Sequence, residues 1–316
     1  MTTYRIMTFD GGGVRGAFMA ALVKRLSEQV PQLLKEVDLF AGTSTGSVVA
    51  LTMASGFDAD KLVSFYSQAN LKFAFSPAHW NWFRPKYNNS NFQKLLQDHF
   101  PGNRRLGDLK EHRFMAPAFQ LDDQADRDWA PIFFHNFPDS PYLDEFVVDV
   151  ALRSAAAPTY FPSHQGYIDG GVMANNPSTA AVAMALGHNQ PAPQFSDLRL
   201  LSVGTGLTPT LITTNTQRWG GIQWLLNPFR SPQTPILNIL TDGVVEADCE
   251  MSGKLLGKNY WRLNPPLARP TMLDDWRAIP ELIKTADDYD LGPTIDWIEK
   301  NWSRPAAVGV GQGTST

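Results

Sequence analysis

Residues 4–29 read YRIMTFDGGGVRGAFMAALVKRLSEQ, and residues 37–55 read VDLFAGTSTGSVVALTMAS. The first stretch opens with an apolar run, Tyr4 to Phe9, which predicts a short buried strand. The next seven residues, DGGGVRG from Asp10 to Gly16, hold four glycines, too many for a helix or strand interior. Residues 17–29 then place Phe18, Leu22 and Leu26 at helical spacing, with Val30 following. The second stretch repeats the plan. Residues 37–41 are apolar, Gly42 to Gly46 is a tight turn, and residues 47–55 are small and apolar with no breaker before Gly56. Two successive strand, glycine-turn, helix units predict an α/β fold around a mostly parallel sheet.

The rest of the chain continues the alternation. Residues 113–122 and 132–136 read as strands joined through a polar turn, and residues 149–157 as a helix ended by Pro158. Residues 167–169 close a strand before Gly170 and Gly171, residues 179–186 read as a helix, and residues 198–203 as a strand closed by Gly204 and Gly206. A helix at 244–256, a strand at 259–264 and a last helix at 293–302 complete the plan. Residues 72–93 break the pattern, with Phe73, Phe75, Trp80, Trp82, Phe83 and Tyr87 set among prolines and asparagines, and read as an irregular excursion. One domain spanning residues 4–302 is expected, followed by a disordered tail at 303–316 built largely of Gly, Ala, Ser and Thr.

Composition narrows the classes. The 316 residues are 43% hydrophobic, enough for a large core, and the net charge of −4 with no basic run argues against nucleic-acid binding. Cys249 is the sole cysteine, which excludes an internal disulfide and a cysteine-rich metal cluster. No metal and no cofactor are expected. No apolar stretch is long enough for a transmembrane helix, and a strand starting at Tyr4 leaves no room for a signal peptide. A cytoplasmic protein with at most peripheral membrane contact is expected.

Three segments carry chemistry. GTSTG at 42–46 fits G-x-S-x-G between a strand and a helix, which would hold Ser44 at a strained apex beside a helix N-terminus. A plain Gly/Ser connection is the alternative. Gly11, Gly13 and Gly16 also fit G-x-G-x-x-G, but a dinucleotide site needs an acid at the end of the second strand, and Asp38 stands at its start. Gly11, Gly12 and Gly13 read better as an oxyanion hole, whose amides could converge with no side chain in the way, beside the positive charge of Arg15. A hydrolytic serine needs a base. His164 is one candidate, and Asp169, at a strand end before two glycines, is the stronger one; an Asp-Gly turn is the alternative reading of that segment.

In this order, DGGGVRG, GTSTG and DGG resemble the patatin-like phospholipase family. RSAAAPTYFP at 153–162, DGGVMANNP at 169–177, SVGTG at 202–206 and YWRLNPPL at 260–267 are similar to it as well, so the likeness covers nearly the whole chain. The resemblance implies a three-layer α/β/α sandwich and lipid acyl hydrolysis of the phospholipase A or lysophospholipase type, without metal. Ser44 matches the nucleophile and Asp169 the base of a Ser-Asp dyad. Gly12 and Gly13 match oxyanion donors with Arg15 beside them, and Gly16, Gly42, Gly46, Gly170 and Gly171 match motif glycines. A phospholipid or other acyl lipid is then the expected substrate. Trp80, Trp82 and Phe83, with Trp219 and Trp224 in WGGIQWLLNPF, are candidate lipid contacts, packing on the core being the alternative. The same serine could instead serve an acyltransferase, or persist in a lipid-binding protein without turnover. Nothing in the sequence bears on an activating partner.

Overall fold

The computed structural model describes residues 3–77, 83–121, 129–207, 212, 214–225 and 235–302. Among the described residues there are seven strands: β1 (Tyr4–Phe9), β2 (Leu39–Gly42), β3 (Arg113–Gln120), β4 (Ala130–His135), β5 (Tyr167–Asp169), β6 (Leu198–Val203) and β7 (Tyr260–Leu263). The α-helices are α1 (Gly16–Gln29), α2 (Thr45–Ala54), α3 (Ala59–Phe65), α4 (Gln68–Ala74), α5 (Ser90–His99), α6 (Val147–Ser154), α7 (Gly171–Ala174), α8 (Ser178–His188), α9 (Gly221–Leu225), α10 (Pro235–Asn238), α11 (Val244–Leu256), α12 (Ile279–Asp288) and α13 (Gly292–Asn301).

The strands form one sheet in the order β4-β3-β2-β1-β6-β7, with β5 paired to β3. The pairings β1–β2, β1–β6, β2–β3 and β6–β7 are parallel, while β3–β4 and β3–β5 are antiparallel. Side chains alternate across this sheet, as a period of two requires. Met7, Phe9, Phe40, Phe114, Leu201 and Val203 join one core with α1, α2, α6 and α12. Ile6, Leu39, Ala41, Met115, Leu198 and Leu200 join another with Ala181, Val182 and Ala185 of α8 and Leu256 of α11. The result is a three-layer α/β/α sandwich with a mixed, mostly parallel sheet. The central strands are apolar on both faces because both faces are covered.

Two departures from the sequence expectation have local causes. Helix α6 ends at Ser154 rather than at residue 157, because Pro158 disfavours helical backbone at the residue before it. The freed segment is used: the Ala156 carbonyl accepts from Asp169 N at 3.0 Å. Helices α3, α4 and α5 are absent from the sequence reading, and they shorten the aromatic excursion from both sides. The starts of α3 and α4 are nonetheless written in the chain, where Asp58 accepts from Lys61 N and Ser67 accepts from Asn70 N as N-caps.

The arrangement of β2 and β5 positions the site. β2 pairs with residues 113–115 of β3 and stops at Gly42, while β4 occupies the other edge of β3 over residues 115–120. β5 therefore takes the edge that β2 has vacated, pairing antiparallel with Ala118 to Gln120. β2 and β5 thus run toward each other along one edge, and the chain turns out of the sheet where they meet. Sequence order alone suggests that Asp169 reaches the site because parallel strand ends share an edge; instead it arrives from the opposite direction.

Candidate active site

Ser44 sits between β2 and α2 with φ 54° and ψ −121°, a left-handed backbone that a non-glycine residue adopts only under constraint. The constraint is contact. A Cβ on Gly42 would lie 2.0 Å from the Gly46 carbonyl oxygen, and one on Gly46 would lie 2.2 Å from that of Phe9. The turn is therefore folded onto itself and onto β1, and only glycine fits at either position. Ser44 N donates to Ser154 Oγ at 3.0 Å, and Ser47 Oγ donates to the Ser44 carbonyl at 2.6 Å. The serine is pinned on both sides, at the N-cap of the ten-residue helix α2, whose N-terminal partial positive charge lies beside it.

Ser44 Oγ donates to Asp169 Oδ2 at 2.6 Å, and the other carboxylate oxygen, Oδ1, accepts from Gly171 N at 2.7 Å. Asp169 is only 5% exposed, and burial pushes its pKa up to about 6, against the opposing pull of the Ser44 and Gly171 hydrogen bonds. Gly170 follows directly and donates from its amide to the Ser154 carbonyl at 3.2 Å. Segment 153–157 thus holds the serine and the aspartate at once.

The glycine loop is clamped peptide by peptide. The Gly11 carbonyl accepts from Thr205 Oγ1 at 3.1 Å, and the Gly12 carbonyl accepts from Arg15 N at 3.1 Å and Arg15 Nε at 3.3 Å. In a trans peptide the C=O and the following N–H point in opposite directions. Fixing these two carbonyls therefore fixes the Gly12 and Gly13 amides facing the other way, and neither amide donates to any described residue. Gly13 has φ +57° and packs against the Leu273 carbonyl, which accepts from Val14 N at 2.8 Å. Gly16 opens α1.

One sequence expectation is corrected here. The Gly11 N–H is not free to point into the site, because it is spent on the Asn175 carbonyl at 2.9 Å. Arg15 stands beside the loop; its guanidinium is buried and donates to Asp242 Oδ1 at 3.0 Å, so it orients the loop as a paired cation. Asp38 precedes β2 and accepts from Arg5 N at 2.7 Å, at the wrong end of the strand for a nucleotide ribose. His164 engages Asp149 Oδ1 at 2.9 Å and makes no contact with Ser44.

Several residues that support the site escape the sequence reading. The Thr45 amide, directly after the serine, starts α2 and has no helical partner. Asp10, next to the loop, is held by both terminal nitrogens of Arg262, a buried two-point ion pair. The later motifs thus brace the glycine loop: NNP supplies Asn175, SVGTG supplies Thr205 and YWRLNPPL supplies Arg262. Each lies in a motif the sequence displays, but its partner lies far off in the chain.

Gly12, Gly13, Ser44, Thr45 and Asp169 open onto one cavity whose other walls include Val48, Phe65, Leu71, Phe75, Phe92 and Phe161. Of the candidate lipid contacts, Phe83 is 97% exposed, whereas Trp219 and Trp224 are half-buried and stack edge to face at 5.1 Å. Trp80 and Trp82 lie outside the described residues, as does the 303–316 tail. Among the described residues, no helix is long and apolar enough to cross a membrane.

A model of the patatin-like phospholipase family matches residues 7–182, a span that contains the glycine loop, Ser44 and Asp169. CotR of Bacillus subtilis (strain 168), named as a sporulation hydrolase, is 37% identical over 96% of this chain and 99% of its own. The chain belongs to the patatin-like phospholipase family. Protein teg of Priestia megaterium is likewise 37% identical, over 96% of this chain and 100% of its own. Patatin group A-3 of Solanum tuberosum is 27% identical over 70% of this chain and 66% of its own length. Membership in the patatin-like phospholipases supports lipid hydrolase activity.

Proposed function

We propose that this chain is a lipid acyl hydrolase of the phospholipase A or lysophospholipase type, acting through a Ser44–Asp169 dyad and an acyl-enzyme. The observation that carries the reading is the 2.6 Å hydrogen bond from Ser44 Oγ to a buried carboxylate. Ser44 Oγ attacks the ester carbonyl while Asp169 takes its proton. The Gly12 and Gly13 amides, with that of Thr45, receive the oxyanion, an effect commonly worth about 3 kcal/mol per donor. The proton on Asp169 passes to the departing alcohol or lyso-lipid. Water, deprotonated by Asp169, then attacks the acyl-enzyme, releasing the fatty acid and restoring the serine.

The apolar walls of the cavity suit a fatty acyl chain, and no charged group besides Asp169 and the ion-paired Arg15 is among its lining residues. Exposed Phe83, together with Trp80 and Trp82 nearby in sequence, would meet the lipid surface, giving peripheral contact. Residues 4–302 act as one hydrolase domain, since one core draws on residues from Met7 to Trp302. The test is labelling with a fluorophosphonate, together with fatty-acid release from phosphatidylcholine and lysophosphatidylcholine. Wild type should label and turn over, and Ser44→Ala should do neither. Equal fatty-acid release by Ser44→Ala would end the proposal.

A further inference from the structure

Away from the cavity, three side chains with metal-binding chemistry meet. His135 ends β4, Asp139 lies in the turn that follows, and His188 ends α8. One ring nitrogen of each histidine and one oxygen of Asp139 all lie within 4.8 Å of one another. The two imidazole centroids are 4.6 Å apart, and His188 Nδ1 lies 2.7 Å from Asp139 Oδ2. α8 begins at Ser178, whose Oγ bonds Thr8 Oγ1 at 2.8 Å, and its length of roughly 15 Å carries the chain from there to His188.

One residue of the cluster also carries a buried atom with no partner. His135 is 4% exposed, and its Nδ1 is buried without a hydrogen-bond partner. A buried polar atom in that state is costly, and a native structure normally supplies it a partner. An ion held by that nitrogen and shared with Asp139 and His188 would be such a partner.

We propose that His135, Asp139 and His188 form a binding site for a divalent transition-metal ion of the zinc class. Two imidazoles and a carboxylate are a donor set suited to such ions, and three protein ligands leave a fourth tetrahedral position for water. Metal–ligand bonds of about 2.0–2.1 Å place tetrahedral donors roughly 3.3 Å apart. The His188–Asp139 pair must therefore open slightly, with the metal taking the place of the shared proton, while the wider separations contract. Asp139 can adjust, being an exposed residue on a turn. Phe137 stacks on the His188 ring at 5.3 Å and Tyr142 meets the His135 ring at 6.0 Å, giving the site aromatic walls. The bound ion would fasten the C-terminal end of α8 to the edge of the sheet. The sequence contains no ligand spacing that announces the site, because its third member comes from a different layer of the fold.

The test uses untagged protein stripped with EDTA. Zinc is titrated by calorimetry against a competing chelator, melting curves are recorded with and without zinc, and the visible spectrum is taken after loading with cobalt. Wild type should bind one ion per chain, melt at a higher temperature with zinc, and show the d–d bands of a four-coordinate cobalt site. His188→Gln and Asp139→Asn alter partly exposed residues and should fold normally without metal. Each should weaken zinc binding by at least about tenfold and abolish the zinc-dependent rise in melting temperature. His135→Gln tests the buried ligand. Absence of stoichiometric binding in wild type, or zinc affinity unchanged in both His188→Gln and Asp139→Asn, would overturn the site.

Discussion

Replacing Asp169 with asparagine should make the protein more stable and less active, by an amount that depends on pH in a calculable way. The introduced carboxamide is nearly isosteric with the carboxylate: its carbonyl oxygen can still accept from Gly171 N, and its NH₂ group can donate to Ser44 Oγ. What changes is the titration. Asp169 has its pKa raised from 3.8 to about 6 by burial. Between those values the folded protein retains a proton that the unfolded chain has lost, so wild-type stability falls as pH rises through that window and levels off above about 6. The stabilising contribution is fully present below 3.8 and gone above the folded pKa. A shift of about 2 units at 1.36 kcal/mol per unit gives about 3 kcal/mol as the full cost of holding the carboxylate charged in the fold. Asp169→Asn lacks this cost. Urea unfolding of both proteins at half-unit steps from pH 4 to pH 7.5 should therefore show the variant gaining on wild type by about 3 kcal/mol across the series, with the gain complete near pH 6.5. Other titrating groups are common to both proteins and cancel in the difference. A stability difference that is flat with pH would refute the claim that desolvation of this carboxylate raises its pKa. Lipid hydrolysis should fall in the same variant by at least about a hundredfold, since the proton acceptor is gone.

Two further expectations follow from the same geometry. The kcat/KM of wild type for a soluble fatty-acyl ester should climb about tenfold per pH unit up to about pH 6 and then level off, because Asp169 acts as a base only when ionised; a limb with its midpoint near 4 would place the essential group elsewhere. Gly46→Ala should cost about 3 kcal/mol or more in urea unfolding, since its Cβ would stand 2.2 Å from the Phe9 carbonyl oxygen, whereas Gly187→Ala, in α8 with nothing within 4 Å, should be neutral or slightly stabilising.

The chain announces most of the fold through local chemistry. Each strand that ends at the site is followed by a glycine-rich turn, and the class of the fold was legible from the first two such units. Helices α3, α4 and α5 were not: they are short or flank the aromatic excursion at 72–93, and only α3 and α4 carry caps, Asp58 and Ser67, that betray them. The proposed pair, Ser44 and Asp169, was legible as two separate turns. Its geometry was not, because the meeting of β2 and β5 depends on β2 being short and β5 running antiparallel, and neither is a property of either segment alone. The misreading of the Gly11 amide has the same origin. A glycine amide is a donor to whatever it faces, and Asn175, which claims the Gly11 amide, is 164 residues away.

On the proposed mechanism, the site also explains how a serine can do without an imidazole. A general base works best with a pKa near the working pH, and histidine, near 6.5, has that value without help. Aspartate starts near 3.8 and must be brought upward. Here burial at the junction of β2 and β5 brings it to about 6, within roughly half a unit of histidine. The histidines have moved the other way: burial lowers both His99, bonded to Thr52 Oγ1 at 2.9 Å, and His135 to about 4. Either would make a poorer base at neutral pH than Asp169. The short carboxylate–hydroxyl contact adds a second economy, because proton transfer over 2.6 Å needs no third residue to orient a ring tautomer. That orienting role falls to the Gly171 amide, which fixes the carboxylate plane. Asp169→His, a larger side chain with a ready-made pKa but no acceptor for Gly171 N in the same place, should therefore hydrolyse lipid no faster than Asp169→Asn. If it did, proton affinity alone would be sufficient, and the short, buried geometry would be incidental to the chemistry.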